Sequence, residues 1–105
     1  MIATVSFTCK TKKEAKKIVR ALLKKKLIAC ANIFVVDSLY RWKGRVAEEK
    51  EVKVEIKTAK SSMDKTVKEI KKMHSYKVAA ITIQNAAVTD ECLEWIKEVT
   101  LQNSQ

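Results

Sequence analysis

Apolar residues recur along the chain with two different periods, and each switch of period marks a new element. Over KTKKEAKKIVRALLKKKL, residues 10–27, Ala15, Ile18, Val19, Leu22 and Leu23 fall at i, i+3, i+4, i+7 and i+8, one apolar stripe of a 3.6-residue helix. Thr11 followed by Glu14 fits a capping box, which satisfies the first free N–H groups of that helix. The helical period returns in SSMDKTVKEIKKMH, residues 61–74, with Met63, Val67 and Ile70 as the stripe and Ser61 with Asp64 repeating the box. A third helix is predicted at TDECLEWIKEV, residues 89–99, with Cys92, Trp95, Ile96 and Val99 on one face and Thr89 or Asp90 as the cap. Trp95 is expected in the core or in an interface.

Between the helices the period is two. EVKVEIKT, residues 51–58, sends Val52, Val54 and Ile56 inward and Glu51, Lys53, Glu55 and Lys57 outward, the pattern of a strand with one wet face. IACANIFVVDSLYRW, residues 28–42, is rich in β-branched and aromatic residues, lacks Gly and Pro, and predicts a long extended strand. Gly44 in RWKGR can take the positive φ of a tight turn, so these two strands form a hairpin. IATVSFT, residues 2–8, and KVAAITIQ, residues 77–84, supply two more strands.

The order β, α, β, β, α, β, α is that of a ferredoxin-like α+β sandwich, the split βαβ arrangement of a four-stranded antiparallel sheet with two helices on one face. Strands of about a dozen residues at roughly 3.3 Å each reach near 40 Å, more than two short helices cover. An uncovered apolar ribbon of that length predicts oligomerisation through sheet edges.

Composition narrows the class. With 105 residues, 47% apolar and 32% charged, the chain reads as one globular domain over residues 1–105. No apolar run approaches the roughly 20 residues of a membrane span, and no secretory pattern opens the chain. A cytoplasmic protein with no membrane partner is expected. Cys9, Cys30 and Cys92 are widely spaced and unpatterned, as expected of reduced, buried thiols. The formal charge is +10, and residues 10–27 carry nine basic residues with Glu14 as the only acid. Such a face attracts polyanions; we read it as a solvated helix face. Nucleic acid is not an expected partner, because sheets that read RNA carry exposed aromatics on their central strands and EEKEVKVEIK has none.

Candidate chemistry is sparse. No nucleophile–base spacing, no HExxH and, with one glycine, no phosphate loop is present, so a non-enzyme is expected. His74 is the sole histidine. It is either a ligand for Cu(II) or Zn(II), joined by Cys9 if the end of the first strand lies near the end of the second helix, or a helix-terminal residue that bonds to the backbone. Tyr40, Trp42 and Tyr76 either line a cleft between subunits or anchor an interface. Cys30 reads as core packing or, alternatively, as a metal ligand.

Several stretches together resemble the divalent-cation tolerance protein CutA family: KKLIACANI, SLYRWKG, the IKT that ends the third strand, HSY after the second helix, and LEWI in the last. The resemblance implies a ferredoxin-like subunit in a tight homotrimer, its long hairpin wrapping neighbours, with a role in the response to divalent metals, chiefly copper. It puts Lys57 near the same inter-subunit cleft as Tyr40, Trp42 and Tyr76, where the lysine either binds an anion or pairs with a glutamate. The chain departs from the family at points that bear on metal: Phe7 and Met73 stand where some members carry a Cys and a His, and the stretch after His74 differs. The family reads His-Pro-Tyr-Glu followed shortly by Pro-Glu, whereas here His74, Ser75, Tyr76 and Lys77 lead into Val78, Ala79 and Ala80. Both carboxylates are gone and one is replaced by a cation, which weakens a metal site there. A trimeric scaffold resembling the PII signalling proteins, with a small anionic effector in its clefts, is the alternative.

Overall fold

A computed structural model describes residues 1–101. Its elements are β1 (Ile2–Cys9), α1 (Lys12–Lys24), β2 (Cys30–Trp42), β3 (Arg45–Thr58), α2 (Met63–Met73), β4 (Ile81–Ala86) and α3 (Asp90–Val99), with a single 3₁₀ turn at Lys60–Ser62 before α2. The four strands form one antiparallel sheet in the order β2-β3-β1-β4, as the ferredoxin-like reading requires.

Register follows from the alternation. Val5, Phe7 and Cys9 stand opposite Ile56, Val54 and Val52, so the apolar residues of both central strands share one face. Ala15, Ile18, Leu22 and Ile70 from α1 and α2 close over that face, and all of these side chains are buried. Each large apolar side chain removed from water here contributes about 1.5–3 kcal/mol. A smaller cluster of Ile2, Ala29 and Ile96 seats α3 at the other end.

Two polar contacts tie the layers together. Both Thr58 and Thr66 donate their hydroxyls to the carbonyl of Leu27, at 2.6 and 3.3 Å. They fix the α1–β2 connection to β3 and α2, a role that hydrophobic periodicity does not reveal.

The element ends differ from expectation in specific ways. Thr11 caps α1 by accepting the Glu14 N–H at 3.1 Å, but the Glu14 carboxylate turns away to Ser75, so only half of the box forms. Ser61 with Asp64 forms no box, because Lys60–Ser62 winds as a 3₁₀ turn and α2 starts at Met63 with no side-chain cap. Of the two candidates for α3, Thr89 is the cap. The fourth strand begins at Ile81 rather than Lys77: its ladder with β1 runs from Ile2↔Ala86 to Phe7↔Ile81, and residues 74–80 form the loop that bonds to Thr8 and Glu51 instead. Leu23, placed on the α1 stripe, lies at its rim and is exposed, as is Trp95 in α3.

β1 pairs with β3 only as far as Cys9↔Val52. Beyond that point β2 and β3 continue from Val36↔Glu51 to Trp42↔Arg45 with no third strand from the described residues beside them. This two-stranded arm gives the molecule its 46 Å long axis. Phe34, Val35, Leu39, Trp42 and Val46 are exposed along the hairpin, Leu39 and Val46 at 65% and 67%.

Candidate functional site

Where β1 ends, the loop after α2 takes its place against β3. The chain leaves α2 at Met73, and His74 is drawn inward because each of its ring nitrogens has a backbone partner. Nε2 lies 2.8 Å from the Thr8 carbonyl, and Nδ1 accepts the Tyr76 N–H at 2.9 Å. These partners define the tautomer: Nε2 carries the proton and donates, Nδ1 is bare and accepts. The ring is packed edge-on to Phe7 and tilted against Tyr76.

Glu14, at the start of α1, accepts from the Ser75 N–H and hydroxyl at 2.9 and 3.0 Å and lies 3.8 Å from Nδ1 of His74. Burial alone would raise the Glu14 pKa. The Ser75 donors, with His74 beside them, outweigh it and hold the carboxyl below the usual carboxylate range.

Tyr76 then reaches across to β3, its hydroxyl donating to Glu51 at 2.9 Å. Glu51 was expected on the wet face, yet it is only 8% exposed. Alternation counts faces of a strand, and it does not register that a loop folds over the sheet where a neighbouring strand stops. Burial, and then the bond to Glu51, push the Tyr76 phenol well above its ordinary range. Two residues along the same face of β3, Glu49 accepts from the Tyr40 hydroxyl, which raises the Tyr40 pKa.

Together the arm and the loop frame a cleft of about 870 Å³. Tyr40, Trp42 and Tyr76 line it with Glu49, Glu51 and Lys77. Three of the five cleft residues expected from sequence are thus brought together. Cys30 and Lys57 are not among them: they face each other across the β2–β3 ladder toward its opposite end, and Lys57 borders a separate, shallow depression with Thr4, Ser6 and Gln84. Within the chain the lysine is set apart because the strand residue nearest the helix-side connection lies farthest from the arm. The glutamates of the cleft were missed by sequence reasoning. The available signal was their i, i+2 spacing on the strand face that also presents Tyr40.

A metal needs lone pairs. Among the described residues no group of three or more His, Cys, Asp or Glu side chains is placed to hold an ion. Both nitrogens of His74 are committed to the backbone. Cys9 is buried, donates weakly to the Thr11 carbonyl at 3.5 Å, and has its pKa pushed up to about 11, by burial first and then by Glu14 and Glu51. A thiol so held does not offer the thiolate that ligation requires. As arranged, His74 and Cys9 do not fit a copper ion.

A family model for CutA1 divalent ion tolerance protein matches residues 3–99. The chain belongs to the CutA1 family. The divalent-cation tolerance protein CutA of Pyrococcus horikoshii is 39% identical over 87 residues, covering 82% of this chain and 85% of that protein. Human protein CutA is 34% identical over 101 residues, or 94% of this chain. The chain spans only 56% of the human protein's length. The crystal structure of the periplasmic divalent cation tolerance protein CutA from Archaeoglobus fulgidus superposes with a TM-score of 0.91 at 33% identity, covering 94% of this chain and 98% of that one. The sheet order and the long β2–β3 arm are thus the architecture of a CutA1 subunit.

Proposed function

We propose that this CutA1-family protein acts in divalent-cation tolerance, chiefly toward copper, as a cytoplasmic homotrimer and not as an enzyme, with the cleft beside the arm as its ligand site. The observation that carries the reading is the pairing of Glu49 and Glu51 with the phenols of Tyr40 and Tyr76 at the root of the arm. Two carboxylates on one strand face supply oxygen donors and negative charge for a divalent ion. They lie where β2, an edge strand carrying exposed apolar residues, is open to pairing with another subunit. Subunits added there would bury the arm and enclose the cleft. No helix among the described residues is long and apolar enough to cross a membrane.

Equilibrium dialysis of the reduced protein against Cu(II) and Zn(II) tests the cation. About one copper per chain is expected, lost in Glu49→Gln with Glu51→Gln and retained in His74→Gln. Loss in His74→Gln alone, in protein that remains folded, would return the site to the histidine. A second reading is favoured by Lys10 and Lys77, which line the same cleft: a small organic anion as effector. A rise in melting temperature with a nucleotide or dicarboxylate panel, and none with copper, would select it.

A further inference from the structure

The molecule's excess charge is confined to one layer. Residues 10–26 carry nine basic side chains against Glu14, and residues 60–72 carry five against Asp64 and Glu69. These two segments together exceed the whole chain's +10 by one unit, so the hairpin, β1, β4 and α3 are collectively almost neutral.

Within the layer the basic residues share one outer surface. At 100° per residue the six of α1, Lys12, Lys13, Lys16, Lys17, Arg20 and Lys24, fall in an arc of about 140°, opposite the buried Ala15, Ile18, Val19 and Leu22. In α2, Lys65, Lys68, Lys71 and Lys72 likewise oppose the buried Thr66 and Ile70. All ten are exposed. Of the three acids in the layer, Glu14 is bound to Ser75 and Glu69 pairs with Lys25 at the join of the helices, which leaves Asp64 as the one carboxylate exposed among ten basic side chains. Among the described residues the contact of Glu69 with Lys25 is the layer's only lysine–carboxylate ion pair.

We propose that this helix layer docks the phosphodiester backbone of double-stranded nucleic acid, without reading its sequence. The layer lacks what the competing partners need. A membrane-surface helix turns its apolar stripe toward lipid, whereas here both stripes pack into the core, with only Leu23 exposed at the rim. A protein partner needs several apolar anchors at the centre of its footprint, and the outer arcs present only Leu23, at the edge of the α1 arc. What the arcs do present is closely spaced point charges along about 20 Å of helix, the length of about six base pairs at 3.4 Å each. This is a different surface from the sheet face excluded above for RNA recognition, and it is independent of the cation reading.

Anisotropy of a labelled duplex of about 20 base pairs, with phosphatidylserine vesicles titrated in parallel, tests the assignment. At about 50 mM NaCl saturable duplex binding is expected. The triple variant Lys13→Gln, Lys17→Gln, Arg20→Gln should bind about tenfold more weakly, with the slope of log K against log salt shallower by about two to three. Removing the same charge from the arm, by Arg41→Gln, Lys43→Gln and Arg45→Gln, should leave affinity within about twofold. Sedimentation checks that both variants keep the wild-type assembly; Lys12→Gln with Lys16→Gln, on the other edge of the arc, carries the same expectation if the triple does not. Equal losses in the helix and arm variants, no duplex binding, or binding to vesicles in preference to duplex would each overturn the proposal.

Discussion

His74 joins three pieces of backbone that no regular hydrogen-bond ladder connects, and its value is measured by what its loss would strand. With His74→Ala the Thr8 carbonyl and the Tyr76 N–H lose their partners and a buried ring leaves a void, at a cost of about 2–4 kcal/mol. Urea unfolding should register that loss in metal-free protein, which a purely metal-binding histidine would not produce. Glu14 carries the pH dependence of the same junction. Its folded pKa lies below the unfolded value of about 4.5, so the folded chain binds fewer protons here. The resulting stability is complete above the unfolded value and is lost as pH falls through the folded one. The stability gap between wild type and Glu14→Gln should therefore close as urea melts are moved from neutral pH to about 3. Cys9, with its thiol held protonated to about 11, should resist a thiol reagent at mildly alkaline pH until the protein unfolds, which mass spectrometry of the labelled peptides would read. The sequence singled out His74 and left its role open. Which nitrogen meets which carbonyl depends on strands and helices sixty residues apart, and no local pattern encodes that.

At the scale of elements, the strongest signals in the sequence were periodic and the weakest were terminal. α1, β3 and the hairpin follow from stripes that bury their apolar members, while the Ser61 box failed and β4 started late because partners elsewhere set those ends. Two ends are imperfectly matched to their residues. Lys26, at φ 58°, occupies the left-handed position that closes α1, with Lys26 N–H on the Leu23 carbonyl and Leu27 N–H on the Leu22 carbonyl in a Schellman arrangement. Glycine is the residue that takes this conformation without a Cβ penalty. Lys26→Gly should accordingly raise unfolding stability by about 0.5–1 kcal/mol. At the arm's tip Lys43 and Gly44 both have positive φ, 49° and 75°, as a two-residue type I′ turn requires. Open space surrounds the Gly44 Cα, so Gly44→Ala pays only backbone strain, about 1 kcal/mol. A Lys43→Asn change should be neutral to stabilising in the same assay.

For the whole molecule the decisive feature is the arm. An apolar two-stranded projection with a free edge is poorly stable alone, and the proposed trimer is the arrangement that would cover it. Sedimentation equilibrium should give a mass of about 36 kDa, three times the 11.9 kDa chain. Leu39→Asp with Val46→Asp, both exposed in the single chain, should shift that mass toward monomer and lower the melting temperature, with less dependence on protein concentration than the wild type. A wild-type mass of one chain would remove the basis for an inter-subunit cleft.

By itself the sequence determined the element order, the faces that pack, the length of the arm and the concentration of positive charge in two helices. These are properties of spacing, and spacing is local. Tertiary structure alone decided that Glu51 is buried beneath Tyr76, that Lys57 and Cys30 stand apart from Tyr40 and Trp42, and that two lysine-rich helices present one continuous surface. Each of these depends on where one strand stops relative to another, which is set by the register of the sheet and not by any residue read in isolation.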